Sequence, residues 1–433
     1  MNPYRDRRLK LAAQMGAGVA VIPTAPERLR NRDTTYPYRF DSYFHYLTGF
    51  PEPEAVLVLV VNGGVKSILF CRDKDEEREI WDGFRYGPEA AREAFGMDEA
   101  YSITRLDEMM PKLLADQPDL FFDLGADPSW DTRVVGWLNS VRAQARNGVT
   151  APAGIRDVRA LLDEMRLIKD AYELAIMRRA ATISGAAHRR AMRVTAPGRY
   201  EYEIEAELLH EFRRQGAQAP AYMPIVAGGA NACVLHYVRN DAPLRDGDLL
   251  LIDAGCELDG YASDITRTFP VNGRFSAVQK DCYEIVLAAQ QAAMEQVRVG
   301  RHWNEPHEAA VRVLVQGMLD LGLVTGSVEG VIESLAYKRF YMHKTGHWLG
   351  LDVHDAGDYK RGGTWRRLEP GMVLTVEPGL YIRPGEGVPQ ALWNIGIRIE
   401  DDVCVTDGAC EVLTAATPKT VAEIEACMAS REA

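Results

Sequence analysis

The sequence predicts an α/β (α+β) protein with two domains. The chain has 433 residues, of which 47% are hydrophobic, and this is more apolar material than one hydrophobic core normally holds. Strand-like and helical patterns alternate along the chain, and a segment rich in small residues, NGVTAPAG at positions 147–154, interrupts them. We therefore predict an N-terminal α/β domain over residues 1–160 and a C-terminal domain over residues 161–433.

The predicted helices and strands occur once in the N-terminal domain, whereas their order repeats in the C-terminal domain. In the first domain, apolar runs at 55–61 and 67–70 predict strands, and amphipathic stretches at 88–95 and 107–115 predict helices. In the second domain, two helices followed by strands occur twice, which predicts a pseudo-repeat. The predicted segments are helices at 170–194 and 202–215 with strands near 249–269, then helices at 276–297 and 305–321 with strands near 372–376 and 396–405.

Composition and charge exclude several classes of protein. The formal net charge of −12 would repel nucleic acid and anionic membrane surfaces. The longest apolar run, at 55–61, is too short to span a membrane, and the N-terminus lacks the apolar core of a secretory signal. Seven scattered cysteines form no CxxC pair. We expect a cytoplasmic protein that acts on a small molecule or a peptide.

Two aspartates flank a predicted hairpin in the segment LLLIDAGCELDGYASDITRTF. If the turn is centred between Leu258 and Asp259, Asp253 and Asp264 face each other across the two strands, roughly 5 Å apart at Cβ. Either aspartate alone would be an ordinary turn or helix-cap residue. Two carboxylates this close repel each other, and a cation between them relieves the repulsion.

Two further acidic residues follow apolar strands downstream. Glu377 ends the run MVLTVE, and a strand at 394–401 (NIGIRIED) would place Arg398 and Glu400 on one face. A buried carboxylate needs a partner. An Arg398–Glu400 pair at a sheet edge remains an alternative for this segment alone.

Histidines concentrate near these carboxylates in the sequence. His343, His347 and His354 lie within HKTGHWLGLDVHD, and His236 follows the loop GGAN. Imidazole is a common ligand of transition metals and a proton donor near neutral pH. The HExxH match that begins at His307 fails at Val311, and neither a G-x-S-x-G elbow nor a GxxxxGK[ST] loop occurs. The residues themselves thus predict a cluster of carboxylates and histidines that requires a cation.

These segments resemble the proline-specific peptidases of the pita-bread metallopeptidase group, the aminopeptidase P family above all. The resemblance rests on DAGCELDGYASDITRTFPVNG, HKTGHWLGLDVHD, LEPGMVLTVEPGLY and GIRIEDD, together with RNRDTTYPYRFDSYFHYLTGFPEPEAVLVL in the first domain. It covers nearly the whole chain. It implies a C-terminal pita-bread fold with a pseudo-two-fold repeat, preceded by an N-terminal α/β domain.

The resemblance also implies a role for each candidate residue. Asp253 would bind one of two metal ions, Asp264 and Glu400 would bridge both, and His347 and Glu377 would bind the other. The remaining matching positions would be catalytic or would line the substrate pocket, namely His236, His343, His354, Tyr381 and Arg398. Lys344 departs from the pattern, since the family usually has a small residue there.

The activity that the resemblance implies is release of the N-terminal residue from peptides with proline in second position, by a hydroxide that bridges two divalent metal ions. Mn²⁺ is the expected metal, with Co²⁺ or Zn²⁺ as substitutes. The expected assembly is a homo-tetramer or a homodimer. A prolidase, which cleaves Xaa-Pro dipeptides, shares all five ligands, although its bacterial forms have a longer insertion than the sixteen residues between Tyr381 and Arg398. A non-catalytic pita-bread module is a remote alternative, because such proteins usually have incomplete ligand sets.

Overall fold

The computed structural model describes residues 3–430 of the chain. These residues form two compact units that divide between Arg166 and Leu167. Within the described residues, no helix is both long enough and apolar enough to cross a membrane.

The N-terminal unit is built on one six-stranded mixed sheet. Its strand order is β4-β3-β2-β1-β5-β6, and the pairs β1–β2 and β2–β3 are antiparallel whereas the other pairs are parallel. The strands are β1 (Gly18–Pro23), β2 (Val56–Val61), β3 (Val65–Cys71), β4 (Glu99–Ser102), β5 (Asp119–Phe121) and β6 (Gly154–Arg156). Strands β2 and β3 confirm the two strand predictions for this half of the chain.

Helices α5 (Leu106–Leu114) and α6 (Pro128–Arg142) pack on this sheet through apolar side chains that recur at helical spacing. Leu106, Met110 and Leu114, each four residues apart, pack into the same core as Val56 and Phe70 of the sheet. The helices are α1 (Pro3–Met15), α2 (Ser42–Thr48), α3 (Glu76–Asp82), α4 (Gly87–Ala94), α5 (Leu106–Leu114), α6 (Pro128–Arg142) and α7 (Arg159–Leu167). The helices predicted at 88–95 and 107–115 are confirmed by α4 and α5.

The C-terminal unit contains two pairs of long helices, and α8 packs on α9 as α10 packs on α11. The helices are α8 (Ala171–Val194), α9 (Glu201–Arg214), α10 (Ala277–Met294), α11 (Glu305–Asp320), α12 (Val328–Glu333) and α13 (Val421–Ala429). Local sequence explains where they begin: Asp170 and Glu173 form a capping box before α8, and Ser276 and Gln279 form one before α10. All four long helices predicted here are confirmed.

Short strands follow each pair of helices and form several small sheets with the orders β11-β10-β7, β12-β9-β8, β15-β18-β19, β13-β14 and β16-β17. After the first pair they are β7 (Ala219–Pro220), β8 (Ile225–Gly228), β9 (Leu249–Asp253), β10 (Cys256–Leu258), β11 (Tyr261–Ala262) and β12 (Thr266–Pro270). After the second pair they are β13 (Lys360–Arg361), β14 (Thr364–Trp365), β15 (Val373–Val376), β16 (Gly379–Ile382), β17 (Ile395–Arg398), β18 (Asp401–Cys404) and β19 (Glu411–Val412). Turns of 3-10 helix occupy Ile103–Arg105, Ala145–Asn147, Gly229–Cys233, Ala336–Arg339 and Gln390–Leu392.

The register predicted for the hairpin is wrong by two positions. Leu258 pairs with Tyr261, so that Asp259 and Gly260 form the turn, and Asp253 pairs with Thr266 instead of Asp264. Both turn residues have positive φ, 49° and 85°, as a type I′ turn requires. Asp264 therefore lies in the short segment between β11 and β12, which belongs to neither strand, and it is not the cross-strand partner of Asp253.

The strand predicted at 394–401 is also wrong, because it is broken at Glu400. Strand β17 ends at Arg398 and pairs with β16, whereas β18 begins at Asp401 and pairs with β15. Glu400 lies in the break between them, where its side chain does not follow the alternation of either strand. Arg398 and Glu400 consequently do not form the neighbouring pair that a continuous strand would give.

Candidate metal centre

One cavity in the C-terminal unit collects nearly all of the residues proposed from the sequence. Its volume is about 770 Å³. Tyr381 lies outside its lining, but its hydroxyl is 2.8 Å from His343 Nε2 and 3.0 Å from Arg398 Nη1. The proposed residues that line the cavity are His236, Asp253, Asp264, His343, His347, His354, Glu377, Arg398 and Glu400.

Three candidate ligands converge closely. Asp264, His347 and Glu400 each offer a ligand atom, and these atoms lie within 4.8 Å of one another. His347 Nε2 is 3.5 Å from Asp264 Oδ2 and 3.7 Å from Glu377 Oε1. The Nδ1–H of His347 donates to the carbonyl oxygen of Trp348 at 2.9 Å. This hydrogen bond fixes the ring so that Nε2 faces the carboxylates.

Tyr222 connects the remaining aspartate to this group, and sequence reasoning missed it. Its hydroxyl lies 2.6 Å from Asp253 Oδ1 and also contacts Asp264 Oδ1. Burial, followed by the charges of the neighbouring carboxylates, raises the pKa of Tyr222 well above its usual value. The phenol therefore stays protonated and acts as a donor between two carboxylates. Nothing in the segment AYMPIV around Tyr222 indicates this role, because the contacts arise only in the folded chain.

Arg398 orients the other side of the site. Its Nη2 is 2.5 Å from Asp253 Oδ2, and its Nε donates to Thr266 Oγ1 at 3.1 Å. The hydroxyl of Thr266 in turn donates to Glu400 Oε2 at 2.6 Å. Arg398 thus fixes one carboxylate directly and a second one through Thr266, a residue that sequence reasoning also missed.

Asp402 supports the backbone beneath the site. Its carboxylate accepts from the backbone N–H of Asp264 at 3.1 Å and from the hydroxyl of Ser263 at 3.0 Å. The chain passes very close here, because a Cβ at Gly255 would overlap the carbonyl oxygen of Ser263. Three consecutive acidic residues, 400–402, were a signal in the sequence that more than one carboxylate of this run serves the site.

The second glycine that the site requires is Gly346, immediately before His347. A Cβ at this position would overlap the carbonyl oxygen of Thr375 on β15. The backbone N–H of His347 donates to Thr375 Oγ1 at 3.1 Å, and the backbone N–H of Glu377 donates to the carbonyl oxygen of Thr345 at 2.8 Å. These contacts attach the histidine segment to the strand that carries Glu377.

The pKa values of the carboxylates indicate that the positive side chains of the protein do not fully neutralise their negative charge. Burial, together with neighbouring carboxylates, raises the pKa of Glu377 to about 7 and that of Glu400 well above its usual range. Burial also raises the pKa of Asp253 despite the contact with Arg398. Burial opposes the charge on Asp264 too, but the contact with His347 outweighs it and lowers the pKa of Asp264.

The pKa of His347 reflects the same excess of negative charge. Burial disfavours its charge, yet Asp264 and Glu377 raise its pKa to about 9. In contrast, burial lowers the pKa of His343 to about 3 and also lowers that of His354. At pH 7 the imidazole of His347 therefore carries a proton, because the surrounding carboxylates favour a positive charge there. The rings of His343 and His354 stay neutral.

This donor set fits divalent metal ions. Asp253, Asp264, Glu377 and Glu400 carry up to four negative charges, and Arg398 is the one guanidinium among the lining residues. Carboxylate oxygens with one imidazole suit Mn²⁺, Co²⁺ or Zn²⁺. The raised carboxylate pKa values and the captured proton on His347 are what such a set shows without its cations.

The site and the fold define a metallopeptidase, and comparisons with known families agree. Residues 175–407 match the family model described as metallopeptidase family M24, and residues 4–121 match the one described as the N-terminal domain of aminopeptidase P. The chain belongs to metallopeptidase family M24. The resemblance and the fold class inferred from the sequence are thereby confirmed.

Curated relatives and solved structures are similar over nearly the full length. The chain is 46% identical to the Xaa-Pro aminopeptidase of Haemophilus influenzae, with 98% of this chain and 96% of that protein covered. It is 53% identical to aminopeptidase PepP of Pseudomonas aeruginosa, with a TM-score of 0.97 and 99% and 97% of the chains covered. It is 46% identical to a zinc-substituted Escherichia coli aminopeptidase P in complex with product, with a TM-score of 0.97 and 100% and 99% covered.

Proposed function

We propose that this chain is a metal-dependent Xaa-Pro aminopeptidase, which releases the N-terminal residue from peptides with proline in second position. The observation that carries the proposal is the convergence of four carboxylates and His347 on one cavity that also contains three further histidines. Sequence relatives named Xaa-Pro aminopeptidase support the substrate class. The ligand set is complete, which disfavours a non-catalytic module.

We assign two divalent metal ions to Asp253, Asp264, His347, Glu377 and Glu400, with Mn²⁺ as the expected metal. Bound there, the ions would lower the pKa of a water molecule toward neutrality and polarise the scissile carbonyl. Two observations support this number of ions. Four carboxylates balance two dications, and Asp264 neighbours both His347 and, through the Tyr222 hydroxyl, Asp253.

The histidines of the cavity are assigned to the substrate. His354 and His236 are both exposed at the cavity surface, and we propose that they donate hydrogen bonds to the oxyanion that forms at the scissile carbonyl. His343 donates from Nδ1 to the carbonyl oxygen of Lys344 at 2.7 Å and accepts from the Tyr381 hydroxyl. Its ring is therefore held in one orientation, which suits a role in binding substrate.

Glu377 is the group we assign to proton transfer to the prolyl nitrogen. Its carboxylate lines the cavity, and its two oxygens are 3.7 Å from His347 Nε2 and from His343 Nδ1. The free amino group of a peptide is attracted to the acidic cluster, which favours an exopeptidase. Arg398, held by Tyr381 and Asp253, keeps the ligand cluster oriented during the reaction.

The test compares three substrates in the presence of Mn²⁺ and after metal removal with a chelator. We expect hydrolysis of an Xaa-Pro-Xaa tripeptide, little hydrolysis of a matched Xaa-Ala-Xaa tripeptide, and loss of activity with the chelator. Hydrolysis of an Xaa-Pro dipeptide alone would instead establish a prolidase. Unchanged turnover after thorough metal removal would refute the metal mechanism.

A matched pair of variants tests the site itself. Asp264→Ala should abolish hydrolysis and leave the circular-dichroism spectrum intact, because the residue is a ligand beside an otherwise supported backbone. Asp407→Ala, at an exposed position outside the cavity, should retain full activity. Near-full activity of Asp264→Ala would remove this residue from the ligand set.

The assembly and the location of the protein stay predictions. We propose a homo-tetramer or homodimer on the family resemblance, and sedimentation velocity of the full chain tests it. The cytoplasmic location predicted from the sequence is tested by fractionation of cells that express the chain.

A further inference from the structure

One cation in the cavity, Lys344, has no partner among the residues that the structure describes. Lys344 is exposed and lines the same cavity as the carboxylates. Its backbone carbonyl oxygen accepts the hydrogen bond from His343, but no carboxylate or other acceptor among residues 3–430 contacts its ammonium group. The other permanent cation of the lining, Arg398, is buried and paired with Asp253.

The neighbours of Lys344 show which wall of the cavity it belongs to. Lys344 also lines a small neighbouring cavity together with His307 and Thr345. Burial lowers the pKa of His307 to about 4, and the charges of Lys344 and then Lys338 add to this effect. Lys344 thus belongs to the wall that the histidine segment forms between the two cavities.

An unpaired cation and a group of carboxylates in one cavity attract opposite ends of a peptide. The carboxylates attract the amino terminus of the substrate, and the cation attracts a negative group farther along the chain. Because the ammonium is solvated when the cavity is empty, pairing it with a carboxylate requires little desolvation and makes a weak, salt-dependent contact.

We propose that Lys344 is a specificity-determining residue, whose ammonium binds a substrate carboxylate on the C-terminal side of the scissile bond. This inference rests on the proposed function. Two sources supply that carboxylate: an acidic side chain in the residue after proline, or the terminal carboxylate of a tripeptide. Both give the same ion pair, and different substrates distinguish them.

The experiment measures kcat and KM of the Mn²⁺-loaded full chain with four substrates at low ionic strength. Ala-Pro-Glu-amide and Ala-Pro-Gln-amide differ only in a side-chain charge. The free acid and the amide of Ala-Pro-Ala differ only in a terminal charge. In at least one pair, we expect the negatively charged peptide to have a KM lower by about 2- to 5-fold, with kcat nearly unchanged and the difference shrinking as salt is added.

Variants assign the effect to Lys344. Lys344→Met keeps the length of the side chain and the backbone carbonyl that holds His343, and it should abolish the difference in KM. Lys344→Glu should reverse it, so that the uncharged peptide of the pair has the lower KM. Lys338→Met, at an exposed lysine that also lies near His307 but does not line the cavity, should leave the difference unchanged.

The possible results separate a failure of this inference from a failure of the proposed function. Equal KM values within both pairs for the wild type, or a difference that persists in Lys344→Met, would overturn the inference while the Xaa-Pro activity stands. Absence of hydrolysis of all four peptides by the metal-loaded wild type would overturn the proposed function and this inference with it.

Discussion

Metal binding to the metal-free chain should release protons from the ligands. At pH 7, His347 with a pKa of about 9 carries a proton in nearly every molecule, and Glu377 with a pKa of about 7 carries one in about half. A metal binds the neutral imidazole and the ionised carboxylate. Loading should therefore release about 1.5 protons per chain from these two residues, and more from Glu400, whose pKa is raised well above its usual range by burial.

The pH dependence follows with a definite sign. As pH rises, the ligands lose the protons that compete with the metal, so the affinity increases. The release of about 1.5 protons from His347 and Glu377 alone corresponds to an increase in the overall binding constant of about 30-fold per pH unit near pH 7. The contribution of these two residues becomes smaller above pH 7 as Glu377 ionises, and it is lost well above pH 9, where His347 is neutral.

Isothermal titration calorimetry of the metal-free chain with Mn²⁺ measures this release directly. The titration is repeated in buffers with different enthalpies of ionisation. The observed binding enthalpy is plotted against the ionisation enthalpy of the buffer, and the slope is the number of protons transferred. The control variant His210→Gln removes an exposed imidazole outside the cavity and should not change the slope. A slope below about 0.5 would refute the reasoning, because the ligands would then already be deprotonated before the metal arrives.

Two substitutions test residues that support the site, and a third tests a buried ion pair elsewhere in the C-terminal unit. Tyr222→Phe removes the hydroxyl between Asp253 and its neighbouring carboxylate and should weaken Mn²⁺ affinity by about 10- to 100-fold in competition with a chelating dye; unchanged affinity would contradict its role. Arg398→Lys loses the planar group that contacts three partners at once and should weaken the affinity by a similar factor, which the same assay measures. Lys169→Met breaks the buried ion pair between Lys169 and Asp355, whose charged atoms are 2.8 Å apart, and should lower the free energy of unfolding by about 3–5 kcal/mol in urea denaturation. Replacing both members of that pair by apolar residues should recover most of the loss, and failure to recover would indicate a role beyond pairing.

Local sequence was sufficient for the four long helices of the C-terminal unit, because the signals that form them lie within a few residues. The boundaries of α8 and α10 follow from capping boxes and apolar periodicity. The hairpin carried a comparable local signal, since Asp259-Gly260 is a typical type I′ pair. Centring the turn one residue earlier placed the two aspartates opposite each other, although the observed register separates them by two positions.

The sequence by itself determined which types of ligand this protein has: carboxylates at the ends of apolar strands and histidines in a glycine-containing segment, whose chemistry calls for a cation. Only the tertiary structure decided how they are held. Tyr222 reaches Asp253 from 31 residues away, and Thr266 reaches Glu400 from 134 residues away. Periodic patterns report how one segment is buried, but a hydrogen bond between distant segments depends on backbone positions that only the complete fold sets.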